Sequence, residues 1–497
     1  MRLLLDLLRA AKTLDDLDQL QRRLFAYIYV VEEQRANCSR VLKRLTHGGT
    51  IPKDAKPLRG SGSDSLATTW ETEELACQRV ARQYRSVGDA MAWTLSGFRR
   101  RYILALSRNE PAGPMADKAG LPMELRTVEA LWETQHHFGL LHDLTNCLRI
   151  GDISEFTDGG GIIIHEVKTS PGRKKPVQFR RMEAAIRGAD GIGPLPGSTA
   201  TLVSVSVPYR TEARRLADLA RLTVERGVQG MPIPGRRAVV GVNLEVAHRL
   251  QPDHSLLQRR WDEEFERAQK RAGIAEGSGL LFFNALDSVG QASTLPPWVI
   301  YPISTVHAAR LAADLMMFKA VVSLEALSEA LAAEGLDAKW DLPPHGSEPR
   351  LSIVGGNRRL TVNSMHSALQ ELLVELVDMP TWAAALREVL SRQDVPPNAV
   401  IVFQNEHKAW AKPKGLPLST KHEQVPADLG RVSDASDVVQ ETLHDLDISN
   451  TYRDQREFTR PRRAVAIRTR RVAVPRSGDD RVRCDRSRVP TRPFQWS

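Results

Sequence analysis

Residues Leu148–Ser170 read LRIGDISEFTDGGGIIIHEVKTS, a stretch that carries charged residues where a β-hairpin normally carries core. Two runs rich in isoleucine, 149–156 and 162–169, are predicted strands because β-branched residues favour strands. Between them lies Thr-Asp-Gly-Gly-Gly, residues 157–161, whose glycines allow the positive φ angles of a tight reversal. The stretch therefore predicts a β-hairpin.

The second strand of this hairpin combines charge with an apolar run. Side chains alternate between the two faces of a strand, so Glu166 and Lys168 share one face and His165 and Val167 the other. The apolar triplet at residues 162–164 predicts a strand that is buried on both faces. An acid and a lysine are costly to bury there, which indicates a polar site at one end of the sheet.

Asp152, at the start of the first strand, is expected to converge with Glu166 on one ion. Two carboxylates with neighbouring backbone carbonyls suit Mg²⁺ or Mn²⁺, which prefer oxygen ligands. Lys168 is then close enough to orient a water molecule or to neutralise charge that develops on a phosphate. The alternative is that the E-x-K residues make only cross-strand ion pairs on a solvated face, which contribute about 0.2–1 kcal/mol each.

The order Gly151-Asp152, a hairpin, then Glu166-Val167-Lys168 resembles the PD-(D/E)xK nuclease superfamily, which has the restriction-endonuclease-like fold. The resemblance implies a nuclease that uses Mg²⁺ or Mn²⁺ to hydrolyse phosphodiester bonds of DNA, in restriction, repair or defence. It implies that Asp152 and Glu166 bind the metal with the Val167 carbonyl, and that Lys168 positions the attacking water.

The flanking sequence matches the order αβββαβ that the superfamily's core shows. Periodicity predicts helices at 121–138 and 177–187 and strands at 139–147 and 201–207, on either side of the hairpin. Gln178 lies where RecB-like subfamilies place a helix glutamine. The family often adds a glutamate from the first helix, and three residues qualify equally: Glu124, Glu129 and Glu133.

Positive charge follows the hairpin directly, at Arg173, Lys174, Lys175, Arg180 and Arg181. Such a cluster either binds DNA phosphates without reading sequence or forms a solvated surface. A second run, Arg99–Arg101, has the same two interpretations.

The fold class is predicted to be α/β, with several regions along the 497 residues. We expect these regions: an N-terminal helical segment at 1–45, a linker at 46–69, a helical platform at 70–117, the nuclease-like core at 118–210, an α/β region of unknown role at 211–404, and an extended, disordered tail at 405–497. Within the α/β region, 298–303 is a predicted strand and 306–336 a predicted helical stretch. The region contains no Walker A, G-x-G-x-x-G or G-x-S-x-G motif.

Two other functions remain open from the sequence. The nuclease-like fold can serve as a non-catalytic nucleic-acid-binding or assembly module. A zinc hydrolase would need three of the four local histidines, His136, His137, His142 and His165, but their spacing matches no zinc motif.

Composition adds limits rather than a function. Residues 453–497 hold 14 Arg, no Lys and five acidic residues, so this tail accounts for the whole chain's net charge of +9. Four dispersed cysteines without a C-x-x-C pair suggest neither zinc nor disulfides, and a reducing cytoplasm fits. The N-terminus is too short and too charged for a membrane span, so no membrane partner is expected. The resemblance implies DNA as the partner, with a protein partner or homodimer as a further alternative.

Overall fold

The computed structural model describes residues 1–47, 66–107, 112–116, 118–157, 162–167, 176–251, 253–275, 280–284, 295–341, 350–363, 367–396 and 398–410. The helices of these residues are α1 (Arg2–Ala10), α2 (Leu14–Thr46), α3 (Leu66–Leu95), α4 (Arg100–Leu106), α5 (Leu121–Gln135), α6 (Pro176–Ala189), α7 (Arg215–Arg226), α8 (Leu244–Leu250), α9 (His254–Arg271), α10 (Thr305–Ala312), α11 (Leu324–Ala333), α12 (Ser367–Val374) and α13 (Met379–Ser391). Their strands are β1 (Phe138–Leu141), β2 (Ile153–Phe156), β3 (Ile162–His165), β4 (Thr201–Val205), β5 (Val228–Ile233), β6 (Arg237–Asn243), β7 (Leu280–Asn284), β8 (Met316–Ser323), β9 (Asp337–Asp341), β10 (Arg350–Gly355), β11 (Arg358–Asn363) and β12 (Ala399–Phe403). The described residues combine helices with several small sheets, which agrees with the predicted α/β class.

The N-terminal helices form a support for the rest of the chain. The predicted N-terminal helical segment at 1–45 consists of two helices. They are separate because Thr13 caps α2 and exchanges hydrogen bonds with Asp16 in a capping box. Helices α2 and α3 pack along their length, where Tyr27 stacks on Tyr84 and Ser39 donates a hydrogen bond to Glu74. The capping box therefore turns a short first helix back onto this pair.

The predicted linker at 46–69 is only partly described. Residues 48–65 lie outside the described residues, and 66–69 already belong to α3, so the linker prediction is wrong for those four residues. The region predicted as a helical platform, 70–117, contains most of α3 and all of α4. The two helices are separated by a break at Gly97 and Phe98, both of which have positive φ.

The strands form several small sheets. β1, β2 and β3 make an antiparallel sheet in that order, and β5, β6, β8 and β7 make a second one. β9, β10 and β11 form a third, in which a two-residue turn at Gly356–Asn357 joins β10 to β11.

The sequence order α5-β1-β2-β3-α6-β4 agrees with the predicted αβββαβ order. The pairing differs from a single four-stranded sheet, because β4 pairs in parallel with β12 in a two-stranded sheet. A strand from the C-terminal region, near residue 400, is thus hydrogen-bonded to the last strand of the region at 118–210.

The prediction for 306–336 is wrong in its middle third, which is strand β8. β8 lies between β6 and β7 and is buried on both faces: Met317 packs into the core that α9 covers, and Phe318 into the larger core on the other side. A strand buried on both faces loses its polar alternation, and its apolar run then resembles a helix. The predicted strand at 298–303 is also wrong, since Trp298–Ile300 is a 3-10 helix.

A buried ionic cluster joins the N-terminal helices to the C-terminal region. Arg100, at the start of α4, pairs with Glu375, the residue after α12 (Nη2–Oε2 2.6 Å), and with Glu406 (Nε–Oε2 2.8 Å). Arg100 is buried, so neither interpretation offered for the run 99–101, phosphate contact or solvated helix end, holds for this residue.

The end of the described chain is folded. Glu406 lies in a 3-10 helix, Glu406–Lys408, and Trp410 is buried. The prediction of an extended tail is therefore wrong for 405–410, and the rest of it, 411–497, lies outside the described residues. Among the described helices, none has the length and apolar character that crossing a membrane requires.

Candidate active site

The hairpin is shorter than predicted, and its ladder ends next to the acidic residues. The last paired residues are Ile153 and His165. Beyond them the Asp152 amide donates to the His165 carbonyl (2.8 Å), and the Val167 amide donates to Asp152 Oδ2 (2.8 Å). Glu166 lies between these two partners of Asp152, so the backbone brings both halves of the motif to one place.

Gly151 makes this close approach feasible. Its φ is +82°, a conformation that side chains disfavour, and an added Cβ would lie 2.4 Å from Ile164 Cγ2 and 3.0 Å from the His165 carbonyl oxygen. The backbone geometry therefore favours glycine at position 151.

The expectation that the second strand is buried on both faces is wrong. Ile164 is buried, but Ile163 is 47% exposed and Ile162 is half-buried. The strand packs through one face only. A run of three apolar residues therefore did not indicate burial on both faces.

Lys118 lies among three carboxylates beside the hairpin. Its Nζ is 2.7 Å from Asp143 Oδ2, 2.8 Å from Glu124 Oε1 and 3.7 Å from Asp152 Oδ1. These acids come from three places in the chain: the first turn of α5, the 3-10 helix His142–Leu144 and the residue before β2. We call Lys118, Glu124, Asp143 and Asp152 the acidic cluster.

Electrostatics in the acidic cluster favour a cation. Burial lowers the pKa of Lys118, but Asp143 and Glu124 outweigh burial and raise it above its ordinary value. Burial raises the pKa of Glu124, which Lys118 partly opposes. Counted formally, one ammonium and three carboxylates give a net charge of −2.

The platform helices hold the segment that carries Asp143. Arg85 of α3 donates from Nε to the Asp143 carbonyl (2.8 Å) and pairs with the buried Glu32 of α2. Asp89 of α3 accepts hydrogen bonds from the backbone amides of Asn146 (2.6 Å) and Cys147 (2.9 Å). The helices that precede the site in sequence therefore fix its loop.

His142 positions the backbone of the motif rather than binding a metal. Its amide donates to the Asp152 carbonyl, its Nδ1 lies 3.0 Å from the Gly151 carbonyl oxygen and its Nε2 lies 2.7 Å from Ser154 Oγ. Burial, with Arg149 and Lys118 nearby, lowers its pKa to about 3, so the ring is neutral and donates from Nδ1.

A second titratable group lies on β2. Glu155 is buried, and its two oxygens contact different rings: Oε1 contacts His137 Nδ1, and Oε2 lies 2.6 Å from His165 Nε2. Glu155 thereby joins the start of β1 to the end of β3. These two histidines are anchored by a carboxylate and do not meet as a zinc-ligand set.

The predicted site residues have different outcomes. Asp152 belongs to the acidic cluster, and Glu166 and Val167 adjoin it. Of the three candidate glutamates, Glu124 is buried in the cluster, whereas Glu129 and Glu133 are exposed. The remaining predicted site residues, Lys168, Arg173, Lys174 and Lys175, lie outside the described residues.

The other predicted DNA contacts, Arg180 and Arg181, are exposed on α6. Sequence inspection missed Lys118 and gave Asp143 no role. Asp143 lay inside the predicted strand at 139–147, whereas β1 ends at Leu141 and Asp143 belongs to a 3-10 helix; Lys118 belonged to no motif.

The described residues contain no group of three or more His, Cys, Asp or Glu side chains arranged to enclose a metal ion. Lys118 occupies the centre of the acidic cluster instead. Comparisons with protein-family models, curated proteins and solved structures found no match to this chain.

Proposed function

We propose that the chain is a metal-dependent nuclease that hydrolyses phosphodiester bonds of DNA, with a restriction-endonuclease-like core at about residues 118–210. The observation that carries this proposal is that the carboxylates of Asp152, Glu124 and Asp143 all face the ammonium group of Lys118. They do so beside the strand that leads into Glu166-Val167-Lys168. The element order α5-β1-β2-β3-α6-β4 supports the same fold.

The donor set fits Mg²⁺ or Mn²⁺. All candidate donors are carboxylate oxygens, from Asp152, Glu124, Asp143 and Glu166, which is the ligand type that these cations prefer. Asp152 and Glu166 would hold the ion with Glu124. A bound divalent cation stabilises negative charge on the phosphate and activates water.

The chain's own residues supply orientation and charge. Gly151 and His142 fix the backbone of Asp152, and the Val167 amide holds Asp152 Oδ2, so that its other oxygen, Oδ1, faces Lys118. Lys168 is assigned to hold the attacking water and to balance charge on the phosphate. Lys118 is assigned to leave the centre of the cluster when a divalent cation enters.

One observation favours a second function, the non-catalytic nucleic-acid-binding module. Lys118 already neutralises part of the acidic cluster, and the described carboxylates do not enclose a metal as they stand. If Lys118 is a permanent structural partner, the same residues hold the hairpin together without chemistry.

Cleavage of supercoiled and linear DNA in Mg²⁺, Mn²⁺ or EDTA tests the proposal. The chain is expected to cut in Mg²⁺ or Mn²⁺ and not in EDTA. Asp152→Asn, Glu166→Gln and Lys168→Met are each expected to lower the cleavage rate by about 10²-fold or more, the loss typical of removing one group that stabilises the transition state.

Glu129→Gln is the matched control, because Glu129 lies on the same helix as Glu124 but is exposed. It should cut at the wild-type rate, whereas Glu124→Gln should not. Metal-independent cutting, or equal activity in all variants, would contradict the assignment. Absence of cutting with unchanged DNA binding in every variant would favour the module.

A further inference from the structure

The chain around helix α6 carries a large share of the exposed large hydrophobic side chains. Ten large hydrophobic side chains are exposed in the described residues, and half of them lie between residues 163 and 192: Ile163, Val177, Phe179, Ile186 and Ile192. Phe179 is 59% exposed and is the one aromatic residue in this set of five.

The exposed side chains of α6 form two parallel rows. Phe179 and Ile186 are seven residues apart, two turns or about 10 Å along the axis, and therefore lie on one line. Arg180 and Arg187 have the same spacing and lie about 100° around the helix. Glu183 lies between the two rows. We call Phe179, Ile186, Arg180 and Arg187 the α6 surface.

One side of α6 is already packed: Ala185 and Ala189 are buried, and the helix contacts α4 and β4. At 100° per residue this packed side lies about 90° around the helix from the row of Phe179 and Ile186, so the exposed apolar row borders the packed side. An exposed apolar row of this kind indicates a binding surface.

We propose that the α6 surface binds a nucleic-acid strand with unpaired bases, an inference that rests on the proposed nuclease function and narrows its substrate. Phe179 stacks on one base and Ile186 contacts the face of the next base. Arg180 and Arg187 contact phosphates. A paired duplex hides its base faces, so an exposed aromatic side chain between arginines favours single-stranded or frayed DNA.

Charge favours nucleic acid over a second copy of the chain. Within α6, Arg180, Arg181 and Arg187 outnumber Glu183, which gives a net charge of +2; Asp190, just after the helix, reduces this to +1. Two copies of one basic surface repel each other, whereas phosphates attract it. Glu183 opposes phosphate binding and provides a variant that should act in the opposite direction.

Binding of fluorescein-labelled single-stranded and duplex oligonucleotides in EDTA, read by anisotropy, tests the inference without cleavage. Phe179→Ala is expected to weaken single-strand binding about tenfold or more, since loss of one base stack costs a factor of about 5 to 150. Duplex binding should change much less. Phe179→Trp should keep the affinity, and Glu183→Gln should raise it.

Leu75→Ala is the matched control, because Leu75 on α3 is 60% exposed, like Phe179, but lies far away in sequence on another helix. It should leave both affinities unchanged. Arg180→Ala should weaken binding of both oligonucleotides and reduce the slope of log affinity against log salt by about 0.7 for the single strand.

The inference is overturned if Phe179→Ala binds the single strand as tightly as the wild type, if it loses affinity equally for the duplex, or if the wild type binds neither. A change from dimer to monomer in Phe179→Ala, seen by sedimentation velocity, would assign the surface to a second copy. Selective binding without any cleavage contradicts only the nuclease proposal; cleavage that ignores Phe179 contradicts only this inference.

Discussion

Lys118 Nζ lies 2.7 Å from Asp143 Oδ2, and this ion pair connects the segment before α5 to the turn that follows β1. Glu124 and Asp152 face the same ammonium. The lysine side chain is thus the common partner of acids that are far apart in sequence. Whether a divalent cation replaces it is the central question about this site.

Replacing Lys118 by methionine should separate its structural role from competition with metal. The variant leaves three carboxylates without their shared partner, so we expect a loss of about 1–3 kcal/mol of unfolding free energy. Mn²⁺ should then raise the melting temperature more in Lys118→Met than in the wild type, because a ligand that binds only the folded state stabilises it. Differential scanning fluorimetry with and without Mn²⁺ measures this.

Lys118→Arg keeps the charge and serves as the control for that experiment. It should resemble the wild type in both stability and response to Mn²⁺. An equal Mn²⁺ shift in all three proteins would show that the acidic cluster does not bind the metal.

Arg100 should be essential for stability. Loss of its guanidinium leaves the carboxylates of Glu375 and Glu406 buried without a counter-charge, which typically costs about 3–5 kcal/mol. Urea unfolding of Arg100→Met is the measurement. Arg99→Met, one residue away and exposed, should change the unfolding free energy by less than about 0.5 kcal/mol.

The loss in Arg100→Met should shrink when the carboxylates lose their charge. Adding Glu375→Gln and Glu406→Gln to Arg100→Met is expected to recover part of the stability. If the triple variant is no more stable than Arg100→Met, the uncompensated carboxylates are not the cause.

Glu155 should make stability depend on pH. Burial raises its pKa, but hydrogen bonds with His137 and His165 outweigh burial and hold the pKa below its ordinary value. A depressed folded-state pKa gives stability that is present above the unfolded pKa, about 4.3, and is lost as pH falls through the folded pKa. Glu155→Gln should therefore be about 1–3 kcal/mol less stable than the wild type near pH 6.

That difference should begin to diminish as the pH falls below the unfolded pKa, about 4.3, and should be lost as the pH falls through the depressed folded-state pKa of the wild-type carboxyl. Urea unfolding of both proteins between pH 3 and 7 tests the prediction. A difference that stays constant across this range would mean that the ionised form of Glu155 contributes nothing.

Gly151→Ala should disturb the site through its backbone. A Cβ there meets Ile164 and the His165 carbonyl in addition to the unfavourable φ, so we expect a loss of about 1–3 kcal/mol. Gly197→Ala isolates the φ cost, because Gly197 has φ +69° and no neighbouring atom within 4 Å of an added Cβ. Equal losses in the two variants would exclude the contact with Ile164 as a cause.

Local patterns predicted much of the fold. The strand pair at 149–156 and 162–169 and the strand at 201–207 depend on neighbouring residues, and the structure has β2 paired with β3 and has β4 at Thr201–Val205. Residues 158–161 of the predicted turn lie outside the described residues. The failures share a physical cause. Strand β8 is buried on both faces, so its sequence lacks the polar alternation that predicts a strand. The helix break at Thr13 depends on one capping residue, which does not change the hydrophobic periodicity.

The candidate site divides in the same way. Gly151-Asp152 and Glu166-Val167-Lys168 were visible because they are contiguous motifs on one hairpin. Lys118 and Asp143 were not, because neither belongs to a motif and their ion pair spans 25 residues. The sequence left Glu124, Glu129 and Glu133 equivalent, and burial against Lys118 separates Glu124 from the other two.

By itself the sequence determined the hairpin, the position of its acids and the α/β class, since strand alternation and glycine turns act over a few residues. Only the tertiary structure decided which distant groups meet: Lys118 with Asp143, Arg100 with Glu375 and Glu406, and β4 with β12. The reason is that electrostatic pairing and strand pairing depend on distance in space, and a single sequence specifies that distance only through the packing of the whole chain.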